Sequence, residues 1–153
     1  MIKYHILPIM PTFEAIVLPK SGDYKIESVF KVSAEERTKT ILSWEREKDE
    51  VIYLQFPRGN YLRDGDYIQI TDLSLILQIV PKLELVVTVT ADNQENLIRA
   101  AYHLGNRHVP LEINFSYLRF HPDPVIEAML DNMGVKTSTE LVPFYPEMGA
   151  YHH

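Results

Sequence analysis

Residues 83–144 read LELVVTVTADNQENLIRAAYHLGNRHVPLEINFSYLRFHPDPVIEAMLDNMGVKTSTELVPF, and the succession of patterns along this stretch decides the fold of the second half of the chain. Leu83–Thr90 is a β-branched and aliphatic run, as a strand requires. Asp92 can cap the free amides at the start of a helix, with Glu95 three positions on and Gly105 as its terminator. Leu97, Ala100, Ala101 and Leu104 fall at helical spacing on one face, which should pack on a sheet. Leu111–Phe115 and Tyr117–Phe120 then read as a strand pair, or as one strand bulged at Ser116. A second helix is expected over Pro122–Met133, its apolar face made by Val125, Ile126, Met129 and Leu130 and its end set by Gly134. Thr139–Phe144 supplies a last strand. The order β-α-β-β-α-β is the ferredoxin-like arrangement, two helices on one face of an antiparallel sheet.

Towards the N-terminus, Pro81-Lys82 separates this unit's first long strand from another apolar run, Leu75–Val80. Before that come short β-type runs, FEAIVLP, YKIESVFKV, KTILSW, EVIYLQFP and DYIQIT. Turns are expected at Pro57-Arg58-Gly59-Asn60 and at Asp64-Gly65, the second joining Tyr61-Leu62 to Tyr67-Ile68. Ser33–Arg37 has the spacing of a helix start but is short, so a turn or brief coil is expected. The fold class is α+β: an all-β N-terminal domain over 1–74, a ferredoxin-like domain over 75–147, and a His-containing tail over 148–153.

Composition narrows the function. At 46% hydrophobic and 24% charged, the chain has the usual globular mixture and should fold. A net charge of -6 is the wrong sign for a protein held by phosphate contacts, so nucleic acid is not an expected partner. Lacking an apolar span or the layout of a secretion signal, it is expected to be cytoplasmic and without a membrane partner. The absence of cysteine removes disulfides, thiolate nucleophiles and Cys-based zinc sites. Any metal would therefore fall to histidine, carboxylate, backbone oxygen or water.

The histidines are His5, His103, His108, His121, His152 and His153. Tyr102–Pro110 concentrates them where the first helix ends, and Gly105-Asn106 is expected to take the left-handed turn that throws Arg107 and His108 off the helix. His103 and His108 are not at the i, i+4 spacing of a helical zinc site, and both suit the negative end of the helix dipole. Should His108 bind a metal, it needs ligands from elsewhere, and a two-fold dimer would present it twice. His152 and His153, on a mobile terminus, could reach such an ion. His121-Pro122-Asp123 matches the J-domain tripeptide, but joins a strand to a helix rather than two helices. Asn114-Phe115-Ser116 fits a glycosylation acceptor in a chain not expected to be exported. His5 reads as a packed or edge-strand residue. Phosphate-binding glycine loops and a GxSxG nucleophile elbow are absent.

AYHLGNRHVPLEI, LRFHPDPVIEAML and the ending PFYPEMGAYHH, with SAEER and FPRGNYLRDGDYI upstream, resemble the urease accessory protein UreE family, the nickel chaperones of urease maturation. The resemblance covers nearly the whole chain. It implies a β-rich domain that engages protein partners and a ferredoxin-like domain that dimerises. It implies Ni(II) held between protomers by the histidine of GNRH, here His108, with help from His152 and His153, and with His103 ranked lower. It implies delivery to the urease apoprotein complex alongside other accessory proteins, including the GTPase. The chain departs from some members at Pro122 and Pro124, leaving only His121 where they carry an accessory site, and its tail stops after two histidines. Affinity among divalent ions follows the Irving–Williams order, so Zn(II) and Cu(II) should compete. Two other readings stand beside this one: a β-domain adaptor with incidental metal, and a hydrolase with zinc at His108 and Glu112 as base. A chaperone, not an enzyme, is the reading adopted.

Overall fold

A computed structural model describes residues 11–47 and 49–151. The chain divides into two units, Met1–Lys31 with Glu36–Val80, and Val32–Glu35 with Pro81–His153.

The first unit carries strands β1 (Thr12–Val17), β2 (Ser28–Val32), β3 (Ile41–Glu47), β4 (Glu50–Gln55), β5 (Tyr67–Ile70) and β6 (Leu75–Pro81). They form one sheet in the order β2-β6-β5-β1-β4-β3, a nearly closed barrel. Period-two alternation drives it: Leu42 and Trp44, Ile52 and Leu54, Ile68 and Ile70, and Leu77 and Ile79 are buried on its inner face. β1 changes neighbour partway along. Thr12–Glu14 run parallel to Tyr53–Gln55 of β4, and Ala15–Val17 antiparallel to β5.

Two expectations change here, and the turn expected at Ser33–Arg37 is present. Leu75–Pro81 pairs with Tyr67–Ile70 in this sheet, so the first unit extends to Val80 rather than ending at 74. Tyr61-Leu62 is not a strand: the turns at Pro57–Asn60 and Arg63–Asp66 leave no length for one, and the Leu62 amide goes to Arg37 O at 2.9 Å. Ser33–Arg37 leads into a 3-10 turn at Glu36–Thr38, with the Arg37 side chain buried.

The second unit contains β7 (Leu83–Ala91), α1 (Gln94–Asn106), β8 (Glu112–Ile113), β9 (Leu118–Phe120), α2 (Pro124–Leu130) and β10 (Val135–Pro143). The sheet order is β10-β7-β9-β8, all antiparallel, the ferredoxin-like order. Both helices cover one face. Val87 and Val89 of β7, Leu118 and Phe120 of β9, Leu97, Ala100 and Leu104 of α1, and Ile126 and Leu130 of α2 make one core. Asn114 N donates to Tyr117 O at 2.9 Å, closing β8 and β9 into a tight hairpin rather than one bulged strand.

The helix boundaries shift from expectation. Asn93, not Asp92, caps α1, its side chain accepting from Asn96 N at 2.9 Å. Asp123 caps α2 by accepting from Val125 N and Ile126 N, which gives the His-Pro-Asp tripeptide a structural role. α2 is shorter than Pro122–Met133, and Val125 points to solvent rather than the core. β10 starts at Val135, four residues before Thr139, and pairs with β7 along its whole length.

Candidate functional site

The left-handed residue at the end of α1 is His108 itself, with φ 56°, whereas Gly105 and Asn106 stay in the helix. The reason is local. Buried Leu104 holds the last turn on the sheet, and Arg107 N donates to Leu104 O at 3.2 Å. Pro110 forces Val109 to be extended, and a β-branched residue tolerates positive φ poorly. The reversal therefore falls on His108, whose amide closes onto Gly105 O at 3.0 Å. The side chain is exposed.

His108 lines a cleft of about 230 Å³ whose walls include Ala101 and Gly105 of α1, Leu111, and Glu147 and Met148 near the C-terminus. Glu147 is fixed there by its backbone, with Glu147 N donating to Leu111 O at 2.8 Å and Ala150 N to Glu147 O at 3.2 Å. Gly149, at φ 83°, completes this turn, and Tyr151 packs against the cluster of Ala34, Val86 and Phe144. The tail expected to be mobile from 148 is thus packed through Tyr151. His5, His152 and His153 lie outside the described residues.

His103 is exposed in the last turn of α1, with its ring edge-on to Tyr102 at 5.3 Å. At about 100° per residue it is turned roughly 200° from both Ala101 and Gly105, so it leaves the helix away from the cleft. His108 and His103 are not brought together. His121 is elsewhere again, its Nε2 3.0 Å from Glu84 Oε1.

Next to the cleft, α1 carries a second apolar stripe that the periodicity reading did not separate from the first. Ile98 and Tyr102 are 61% and 65% exposed on the side that also holds Ala101 and Gly105, while Leu97, Ala100 and Leu104 face the core. Ala101 packs against the core as expected and, half-buried, also lines the cleft. Ile113, on edge strand β8, and Met148 are exposed too. Two apolar faces on one surface helix signal a partner rather than only a core.

Glu112 is committed to structure. It is 4% exposed; Oε1 accepts Tyr145 N at 2.8 Å and Oε2 accepts Asn114 Nδ2 at 2.7 Å, with Arg119 Nη1 3.5 Å from the same oxygen. Both oxygens are taken, so the hydrolase reading loses its base. Arg119 also reaches the Thr88 hydroxyl and Glu140 across the sheet face opposite the helices. The Thr88 hydroxyl hydrogen bond holds the Glu140 carboxyl below the usual carboxylate range, with help from Arg119 and against opposing desolvation.

Among the described residues, no three of His, Asp or Glu gather closely enough to hold a metal ion within one chain. Among them, no helix is long and apolar enough to cross a membrane.

The comparisons with known proteins agree with this architecture in two segments. Residues 13–79 match the N-terminal domain of the UreE urease accessory protein, and residues 84–153 match its C-terminal domain. Urease accessory protein UreE of Nostoc punctiforme is 45% identical over 137 residues, covering 88% of this chain and 93% of that protein. The UreE of another Nostoc species is 44% identical over 144 residues, covering 94% and 97%. That of Thermosynechococcus vestitus is 44% identical over 121 residues, covering 79% and 84%. On the strength of both domain matches and of relatives alike along most of their length, this chain belongs to the UreE urease accessory protein family.

Proposed function

We propose that the protein is a metallochaperone of urease maturation, a cytoplasmic homodimer that binds Ni(II) between protomers and releases it to the urease apoprotein complex. Other accessory proteins, including the GTPase, take part in the transfer. His108 of each protomer is the central ligand, and no catalytic step is assigned to the protein.

One observation carries this reading: an exposed histidine, held at positive φ, at the edge of an exposed apolar stripe. A left-handed non-glycine residue costs roughly 1–2 kcal/mol, a cost that persists where function requires the side chain. The stripe of Ile98 and Tyr102, continued by Ile113 and Met148, suits a second copy of the chain, which would bring two His108 side chains together. The tail histidines have the reach to contribute. Ala150 lines the cleft, and a chain advances at most about 3.6 Å per residue, so His152 and His153 are tethered within about 11 Å of it. His103, on another side of α1, is given a secondary role at the negative helix end. Imidazole ligation admits Zn(II) and Cu(II) as competitors.

The test is calorimetric titration of Ni(II) into metal-free protein, wild type beside His108→Ala, with mass by light scattering. Binding near one ion per dimer, lost in the variant while the dimer persists, supports the proposal. Equal binding by both proteins sinks His108 as the ligand.

The adaptor reading draws on a different feature. Where β1 leaves β4 for β5, a cleft of about 220 Å³ opens between Glu14–Ile16 and Gln55–Pro57. Undiminished urease maturation by a protein lacking His108 and both tail histidines would favour it.

A further inference from the structure

We infer that Glu147 is the acidic member of the His108 site: its carboxylate supplies oxygen to the divalent cation, and binding of the ion tightens a dimer that also forms without it. The inference rests on the interface site proposed above and adds a residue and a linkage to it.

Glu147 is placed, not dangling. Its amide and carbonyl are both bonded, and the turn through Gly149 fixes the direction in which the chain continues. Glu147 lines the same cleft as His108, whose other walls, such as Ala101, Leu111 and Met148, are apolar. Glu84, Glu112 and Glu140 of the same unit each engage a basic side chain or histidine. Among the described residues, none forms an ion pair or hydrogen bond with the Glu147 carboxylate.

An ionised carboxylate on an apolar surface is tolerated while water reaches it. Dimerisation through this face would bring two such carboxylates together and strip part of their water, a cost that weakens the metal-free dimer and that a counter-charge reduces. A divalent cation is that counter-charge. Two His108 imidazoles and two Glu147 carboxylates make four donors of the mixed nitrogen and oxygen kind that suits Ni(II) and Zn(II). The same arrangement predicts effects of opposite sign when the charge is removed: the ion loses a ligand, while the empty interface loses a repulsion. A residue that merely shaped the turn would weaken both.

The experiment is Glu147→Gln, nearly isosteric, in the full chain, beside wild type and His108→Ala. Ni(II) affinity is read by calorimetry, and the metal-free dimer constant by sedimentation in the presence of a chelator. Nickel affinity is expected to fall about 10- to 100-fold, the range for losing a group that supports a metal site, while the metal-free dimer becomes several-fold tighter. Unchanged nickel affinity, or a metal-free dimer no tighter than wild type, overturns the inference. If His108→Ala still abolishes binding in that case, the nickel reading stands without Glu147. Failure of wild type to bind nickel removes both.

Discussion

Glu84 holds the His121 ring with one carboxylate oxygen, 3.0 Å from Nε2, and accepts the Ala34 amide at 2.9 Å with the other. The His121 ring also lies 4.6 Å from that of Phe144. His121 is thereby occupied in joining β7 to the segment before α2, which sets it apart from the histidines proposed as nickel ligands. His121→Ala should leave nickel stoichiometry and affinity unchanged. Because the ring is partly exposed, the loss of stability should be about 1 kcal/mol or less, measured by urea unfolding. A lost equivalent of nickel would show that His121 is a ligand after all.

His108→Gly should separate function from stability. Glycine accepts φ 56° without the steric cost paid by histidine, and the exposed ring contributes little packing. Unfolding curves should show stability equal to wild type or up to about 1 kcal/mol higher, with nickel binding lost. A marked destabilisation would mean that the ring supports the fold.

Glu112→Ala should be far more damaging to the fold. It strands the Tyr145 amide and Asn114 and leaves Arg119 short of a buried partner. Breaking a buried pair of this kind costs about 3 kcal/mol or more. A variant as stable as wild type by thermal melting would contradict the structural role and reopen a catalytic one.

Acid should weaken the sheet face opposite the helices. Glu140 has its carboxyl lowered in the folded state by the Thr88 hydroxyl and by Arg119, so its contribution is present above the unfolded carboxyl value and is lost as pH falls through the folded one. Wild type should exceed Glu140→Gln in stability at neutral pH, with the gap closing under acid. A gap independent of pH would remove the charge from the explanation.

The ferredoxin-like unit was legible because its elements are long enough for periodicity to speak: Leu83–Thr90 and the Leu97, Ala100, Leu104 face lie where expected. Locally set features were read less well. The left-handed position passed from Gly105-Asn106 to His108 because Leu104 packing and Pro110, not glycine content, decide where the helix can turn. The exposed stripe of Ile98 and Tyr102 went unread because the helical period that marks the core face does not single out a second apolar face beside it. The tail looked free because nothing in Tyr151 announces that Ala34, distant in sequence, will receive it. In the barrel, strand neighbours depend on long-range pairing, so the assignment of Leu75–Pro81 to the first sheet was outside the reach of pattern alone.

The four residues Val32–Glu35 sit in the first half of the chain but complete the second unit, where Ala34 meets Val86 and Phe144 and gives its amide to Glu84. Recombination at a single crossover near residue 80 would therefore leave the second unit of each chimera with a stranger's version of this segment. Swapping halves between relatives should succeed only when 32–35 travels with 81–153, so that what is inherited together is a patchwork rather than two beads on a string.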